Sequence, residues 1–225
     1  MGSVIMVRWI AFSIGVLSVL SLALPAQAEW YVGAGVGAVV PQNLTNNEGS
    51  GSFFRFSAVG THFTDIRLSP GVALDGKVGY FFQRVPWLGL EADILLSRPK
   101  VKDQTFSGQS SFFFARGTIT EGHARVIAPA LNVILRYPGD RLQPYIGGGP
   151  VVAFIKVFDD GGTSSEIGYN AFAGIRWLVT RNVGLFAEAK YLRASYIAED
   201  VLSPGLGIKG DYSASHIFVG TSVHF

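Results

Sequence analysis

The sequence predicts an all-β fold, an eight-stranded antiparallel up-and-down transmembrane β-barrel. Three observations carry that prediction. Hydrophobic residues make up 48% of the 225 residues and charged ones only 15%, yet beyond residue 28 no apolar run reaches the roughly 20 residues of a spanning helix. Eight segments alternate apolar with small or polar residues at the period of two that puts neighbouring side chains on opposite faces of a strand. The connectors between them alternate short and long, as in a barrel with tight turns at one membrane surface and longer loops at the other.

The first 28 residues stand outside this pattern. Arg8 precedes an apolar run from Trp9 to Leu24, Pro25 breaks it, and Ala26-Gln27-Ala28 supplies the small-x-small site of a cleaved secretory signal. At about 16 residues the run is short for a membrane anchor, the competing reading. The expected organisation is a signal peptide over 1–28 and one barrel domain over 29–225. Removing the signal takes away only Arg8, so 18 basic and 16 acidic residues become 17 and 16. A near-neutral chain with no basic block implies no nucleic-acid partner. Cysteine is absent, which excludes disulfides and thiolate chemistry.

The first expected strand, EWYVGAGVGAVV (29–40), sets Trp30, Val32, Val36 and Val40 against Tyr31, Gly33, Gly35 and Gly37. Its second face is small enough for a crowded interior. The second, VALDGKVGYFF (72–82), opposes Val72, Leu74, Val78, Tyr80 and Phe82 to Asp75 and Lys77. In the third, LGLEADILLS (88–97), Leu90, Ile94 and Leu96 face away from Glu91 and Asp93. The fourth, ALNVILRYP, opposes Leu131, Val133, Leu135 and Tyr137 to Asn132 and Arg136. The fifth, at 144–158, is apolar on both faces, so alternation does not assign its register. The sixth (166–179) sets Ile167, Tyr169, Ile175 and Trp177 against Asn170 and Arg176, and the seventh (183–192) sets Val183, Leu185 and Tyr191 against Glu188 and Lys190. The last runs from about Tyr212 to Phe225.

Short connectors, QRVPW, PGDRLQ and TRN, follow strands two, four and six. Longer ones lie at about 41–70, 98–122, 159–165 and 198–211. Trp30, Tyr80, Phe82, Trp87, Tyr137, Trp177 and Phe225 fall at strand ends and suit the two interfacial girdles of a membrane barrel. A soluble sandwich or lipocalin-like barrel also alternates, but its polar face should be rich in Lys, Glu, Thr and Ser. Here the charges are sparse and centred on their strands, as expected of a lumen. The aromatic runs SFFRFSAVGTHF (52–63) and SSFFFARGTIT (110–120) read either as exposed binding patches or, preferably, as strand extensions forming a rigid external rim.

The final strand ends on an aromatic residue. Ile217, Val219, Val223 and Phe225 occupy alternate positions, with Thr221 between them, and resemble the recognition signal of the barrel-assembly machinery. Together with GDRLQPYIGGGPVVAF (139–154) and FAEAKY (186–191), this resembles the small eight-stranded outer-membrane family that includes opacity proteins and the transmembrane domain of outer-membrane protein A. The resemblance covers essentially all of 29–225 and implies a Gram-negative outer-membrane location, with function residing in external loops. It implies outer-membrane lipid and the assembly machinery as partners and leaves room for an extracellular partner at the loops. The periplasmic wall-binding domain of the latter protein is not matched.

The chemistry-bearing residues are the expected lumen charges: Asp75, Lys77, Glu91, Asp93, Arg136, Arg176, Glu188 and Lys190, with His216 a further candidate. Eight strands enclose a space that side chains can fill. A salt-bridge network plugging the barrel is therefore favoured over a polar path for ions. His123 and His216, with serines at 110, 111, 213 and 215, could form a hydrolytic set at the outer edge like that of a lipid A deacylase, but their spacing is unspecific; His224 is expected at the periplasmic rim. Four scattered histidines give no metal-ligand pattern, and Asp159-Asp160-Gly161-Gly162 reads as a solvated loop. The GAGVGA run lies inside a strand, with no helix to cradle a dinucleotide. No cofactor is expected. The leading expectation is a non-enzymatic barrel for surface interaction or envelope integrity, with a narrow porin-like channel as the alternative.

Overall fold

The computed structural model describes residues 29–53, 56–57, 62–63, 65, 67–109, 114–119, 122–156, 164–203 and 206–225. The expected signal peptide and the Asp159–Gly162 stretch lie outside them. In chain order the strands are β1 (Glu29–Pro41), β2 (Thr45–Phe53), β3 (Phe56–Ser57), β4 (His62–Phe63), β5 (Leu68–Phe82), β6 (Val85–Val101), β7 (Gln104–Gln109), β8 (Phe114–Ile119), β9 (Gly122–His123), β10 (Arg125–Arg136), β11 (Leu142–Lys156), β12 (Ser164–Leu178), β13 (Val183–Ser203) and β14 (Leu206–His224).

Eight of these close the barrel. β1, β5, β6, β10, β11, β12, β13 and β14 pair antiparallel in that order, and β14 returns to β1 from Tyr31↔His224 to Pro41↔Ala214. Closure leaves no open edge within the membrane, where an unpaired peptide group would have no water to bond. The other strands continue the sheet above the barrel. β2 adds to the upper part of β14, β4 joins β2 to β7, and β7 pairs with β8 as a hairpin.

Burial follows the alternation read from the sequence. On β1, Trp30, Val32, Val36 and Val40 are exposed on the outer surface while Tyr31, Gly33 and Val39 are buried. The structure also assigns the register of the fifth barrel strand, β11. Gln143, Tyr145, Val151, Ala153 and Ile155 point inward, and Ile146, Pro150, Val152 and Phe154 outward. Inward glycines make room for large rings: a Cβ on Gly79 would lie 2.3 Å from the Tyr31 ring, and one on Gly147 2.5 Å from Phe172.

The structure departs from expectation in the long connectors, where 41–70 and 98–122 contain strands β2–β4 and β7–β9, and in the placement of the aromatics. The segment 198–211, expected as a loop, is mostly strand, because β13 and β14 remain paired through Ala198↔Ile208 and meet again at Ser203↔Leu206. Alternation marks a strand where lipid and lumen select opposite faces, a demand that ends above the apolar band. At about 3.3 Å per residue and a tilt near 40°, the 21 residues of β13 reach roughly 50 Å, about twice the height of an apolar band. The seven aromatics assigned to two girdles, Phe225 among them, all lie at the short-turn end, with Glu29. Toward the other end, Phe154 and Tyr169 are exposed outward among the described residues.

The closure seam is sterically tight. A Cβ on Gly37 would sit 1.9 Å from the Ile217 carbonyl oxygen across the β1–β14 pair, whereas one on Gly76 meets its nearest neighbour, Ile94, at 3.6 Å. Gly37→Val is expected to block closure and remove the heat-modifiable gel mobility of the folded barrel. Gly76→Ala should retain it.

Candidate functional site

The lumen is built in three levels by inward positions of the barrel strands. At the short-turn end, Arg136 from β10 forms an ion pair with Glu29, donates to the Pro86 carbonyl at 3.0 Å, and lies 3.7 Å over the Phe81 ring. His224 Nδ1 is 2.8 Å from the same Glu29, and its Nε2 is 3.1 Å from the Ser222 hydroxyl. One carboxylate thus joins the first and last barrel strands to β10.

The second level is a charge belt. Lys77 contacts Glu188 at 2.7 Å and Asp75 at 3.0 Å; Lys190 contacts Asp93 at 2.6 Å, Asp75 at 3.1 Å and Glu188 at 3.6 Å. Tyr145 donates to Glu188 at 2.9 Å, Asn132 to Asp93 at 2.9 Å, and Asn170 to Asn132 at 3.0 Å. Tyr31 donates to Glu91, and the Arg176 guanidinium lies 4.4 Å from the Tyr31 ring centre and 5.4 Å from that of Tyr145. Both ammonium groups also face aromatic rings: Lys77 is 4.9 Å from Phe186, and Lys190 5.3 Å from Phe172. The lysine, aspartate and glutamate side chains of these ion pairs are 2% exposed or less. Charges so far from water need this density of partners, since desolvating an isolated ion costs several kcal/mol.

The third level, toward the hairpin end, is apolar. Val39, Leu95, Val126, Val151, Ile155, Leu192, Tyr196 and Tyr212 pack with small alanines into one buried cluster. Sequence reading missed this level. It concentrated on the charged inward positions and left the register of 144–158 open, although that segment supplies Val151, Ala153 and Ile155.

All eight expected lumen charges are buried, but they do not form one set. Asp75, Lys77, Asp93, Glu188 and Lys190 are joined by ion pairs, Glu91 and Arg176 connect through Tyr31, and Arg136 belongs to the separate end cluster. Glu29, Tyr31, Tyr145, Asn132 and Asn170 join the network without being among the expected lumen charges, though alternation had put Asn132 and Asn170 on inward faces. The inward phase of β1 signalled Tyr31. Nothing in the chain order foretold that Glu29 meets Arg136, 107 residues away.

The other candidates separate. His216 is fully buried inside the wall, its ring stacked on Phe218 at 5.9 Å, while His123 is exposed on β9 at the hairpin end. Of the two expectations for His216, the lumen position holds and the outer-edge hydrolytic set does not: its inward phase in β14 puts it on the opposite side of the wall from His123. His224 lies at the short-turn end. Ile217, Val219 and Phe225 are exposed outward and Val223 is half-buried. Among the described residues, no three His, Asp or Glu side chains are grouped to hold a metal ion.

Removing one partner from a buried pair strands the other, whereas a rim pair is already hydrated. Lys77→Met is expected to destabilise the barrel by about 3–5 kcal/mol. Lys209→Met, which breaks a half-exposed pair with Glu48 at 3.3 Å, should cost less than about 1 kcal/mol. Urea unfolding in lipid vesicles reads both.

Among curated proteins, no sequence relative matches. In solved structures the fold is similar to the outer membrane protein OprG from Pseudomonas aeruginosa, with a TM-score of 0.55 and 12% identity over 88% of this chain and 96% of that one. It is also similar to Neisserial surface protein A, with a TM-score of 0.50 and 17% identity over 87% and 97%. These likenesses bear on the fold. The model of the outer membrane protein beta-barrel domain matches residues 12–225, and with a closed eight-strand barrel and an apolar outer face the chain belongs to that family.

Proposed function

We propose that this chain is a non-enzymatic outer-membrane protein, exported by its N-terminal signal, whose filled barrel holds a β-structured rim at the cell surface for interaction with an extracellular partner or for envelope integrity. The observation that carries this reading is the continuation of β13 and β14 well beyond the height of the membrane, joined there by β2 and the β7–β8 hairpin. A sheet extended into water is a platform, because its backbone is already ordered and binding need not order it. Outer-membrane lipid surrounds the apolar face, and Ile217, Val219, Val223 and Phe225 serve the assembly machinery during insertion.

The channel alternative is disfavoured by the two filled levels: ions would meet paired charges at mid-height and an apolar cluster above them. The enzymatic alternative is disfavoured by the separation of His123 from His216 across the wall.

The test compares the intact protein with a variant in which residues 104–119 are replaced by a short Asn-Gly turn. Both should fold, and both should be electrically silent in planar bilayers. Cells carrying the shortened rim are expected to lose surface attachment or envelope resistance to detergent relative to the intact protein. Discrete conductance from the folded intact barrel, or unchanged cell behaviour on losing the rim, would count against the proposal.

A further inference from the structure

A second feature of the outer wall is independent of the rim's role. Where β5, β6, β9 and β10 meet, a groove of about 590 Å³ is lined by Arg98, Lys100, His123 and Arg125 over a floor of Pro70, Gly71 and Val72. Arg98, Lys100, His123 and Arg125 are all exposed. The ion pairs among the described residues involve none of them. Three neighbouring cations, Arg98, Lys100 and Arg125, without an ion-pair partner among the described residues repel one another, so the arrangement favours an anion.

The groove is built into the backbone. The β5–β6 register shifts between Ser69↔Lys100 and Val72↔Arg98, so that Pro70 and Gly71 together stand opposite the single residue Pro99. A Cβ on Gly71 would lie 1.8 Å from the Arg98 carbonyl oxygen, so the floor depends on glycine. Such a bulge bends a strand and re-aims the side chains opposite it.

Its height identifies the occupant. Arg98 lies 11 residues along β6 from Trp87 at the short-turn end, and Arg125 lies 12 residues from Tyr137 at the other end of β10. At about 3.3 Å per residue and a tilt near 40°, 11 residues rise about 28 Å, against an apolar band of about 25 Å. Beside and below the cations, Val72, Leu96 and Ile127 are exposed on the outer face. The basic groups therefore stand at headgroup level in the leaflet on the hairpin side, continuous with an apolar surface beneath.

We propose that this groove is a docking site for a phosphorylated glycolipid of the outer leaflet. The phosphates are held by Arg98, Lys100 and Arg125, with His123 as a further donor, and the acyl chains lie along Val72, Leu96 and Ile127. Guanidinium groups suit this work because they bind phosphate oxygens in pairs. The proposal rests on the external placement of the hairpin end.

The test uses the mature chain refolded into phosphatidylcholine nanodiscs and confirmed as folded by gel mobility. Retained lipid A is counted by native mass spectrometry, with bis-phosphorylated lipid A, its dephosphorylated form and phosphatidylglycerol as probes. Bis-phosphorylated lipid A should be retained at least about tenfold more strongly than either other probe, consistent with the loss of one or more charge-assisted contacts. Arg98→Ala/Arg125→Ala should abolish the preference, while Arg84→Ala/Arg141→Ala, at the short-turn end, should keep it. Equal retention of the three lipids by the unmodified protein would overturn the proposal even if the double variant failed to fold. So would a preference unchanged in a folded Arg98→Ala/Arg125→Ala protein. Deleting the 104–119 hairpin should leave lipid retention intact, which separates failure of this site from failure of the rim.

Discussion

In hydrocarbon an unbonded peptide group costs several kcal/mol, so the pairing of β1 with β14 decides whether the other strands can lie in a membrane at all. The 11 residue pairs from Tyr31↔His224 to Pro41↔Ala214 complete a wall in which every strand has two neighbours. The same seam explains the small residues of β1. Gly33, Gly35 and Gly37 admit Lys77, Phe186 and the β14 backbone at distances that any larger residue would disturb. The Glu29 contacts with Arg136 and His224 add polar links at the end of the seam.

Closure with only eight strands fixes what the interior can contain. Opposing walls are near enough for side chains to meet, so a charged residue pointing inward must find its counter-charge there. Two lysines and four carboxylates occupy the mid-level, with Arg176 stacked on the tyrosines beside them. Aromatic faces supply further attraction where oxygen ligands are absent. Above the belt the interior is like the core of a soluble protein, and this apolar level supports the strands as they leave the membrane. The barrel thus acts as a rigid stem, with its variable chemistry placed on the outer wall and the upper hairpins.

The membrane-spanning part was legible because lipid and lumen impose opposite demands on alternate residues. Strand number, the outer faces of seven strands and all eight inward charges follow from that alternation. Its limit is visible in β11, where Tyr145 and Val151 point inward although Ile146 and Val152 are equally apolar; only pairing with β10 and β12 chooses between them. Strand length above the membrane was hidden for a related reason, since lipid selects one face of a strand only within the height of the apolar band. Pairing partners across the lumen were illegible altogether. Contacts such as Lys190 with Asp75, 115 residues apart, depend on the stagger of a closed barrel.

The central claim is a lumen filled by side chains rather than water, and the absence of native cysteine makes it directly accessible to measurement. Ala153 is fully buried in the apolar level, and Asn46 is exposed on the rim. Single variants Ala153→Cys and Asn46→Cys, folded in lipid vesicles, would be treated with a charged, membrane-impermeant thiol reagent. The account predicts rapid labelling at 46 and protection at 153 until the barrel is unfolded. Labelling at 153 in the folded protein at a rate close to that at 46 would show an open aqueous lumen and contradict it.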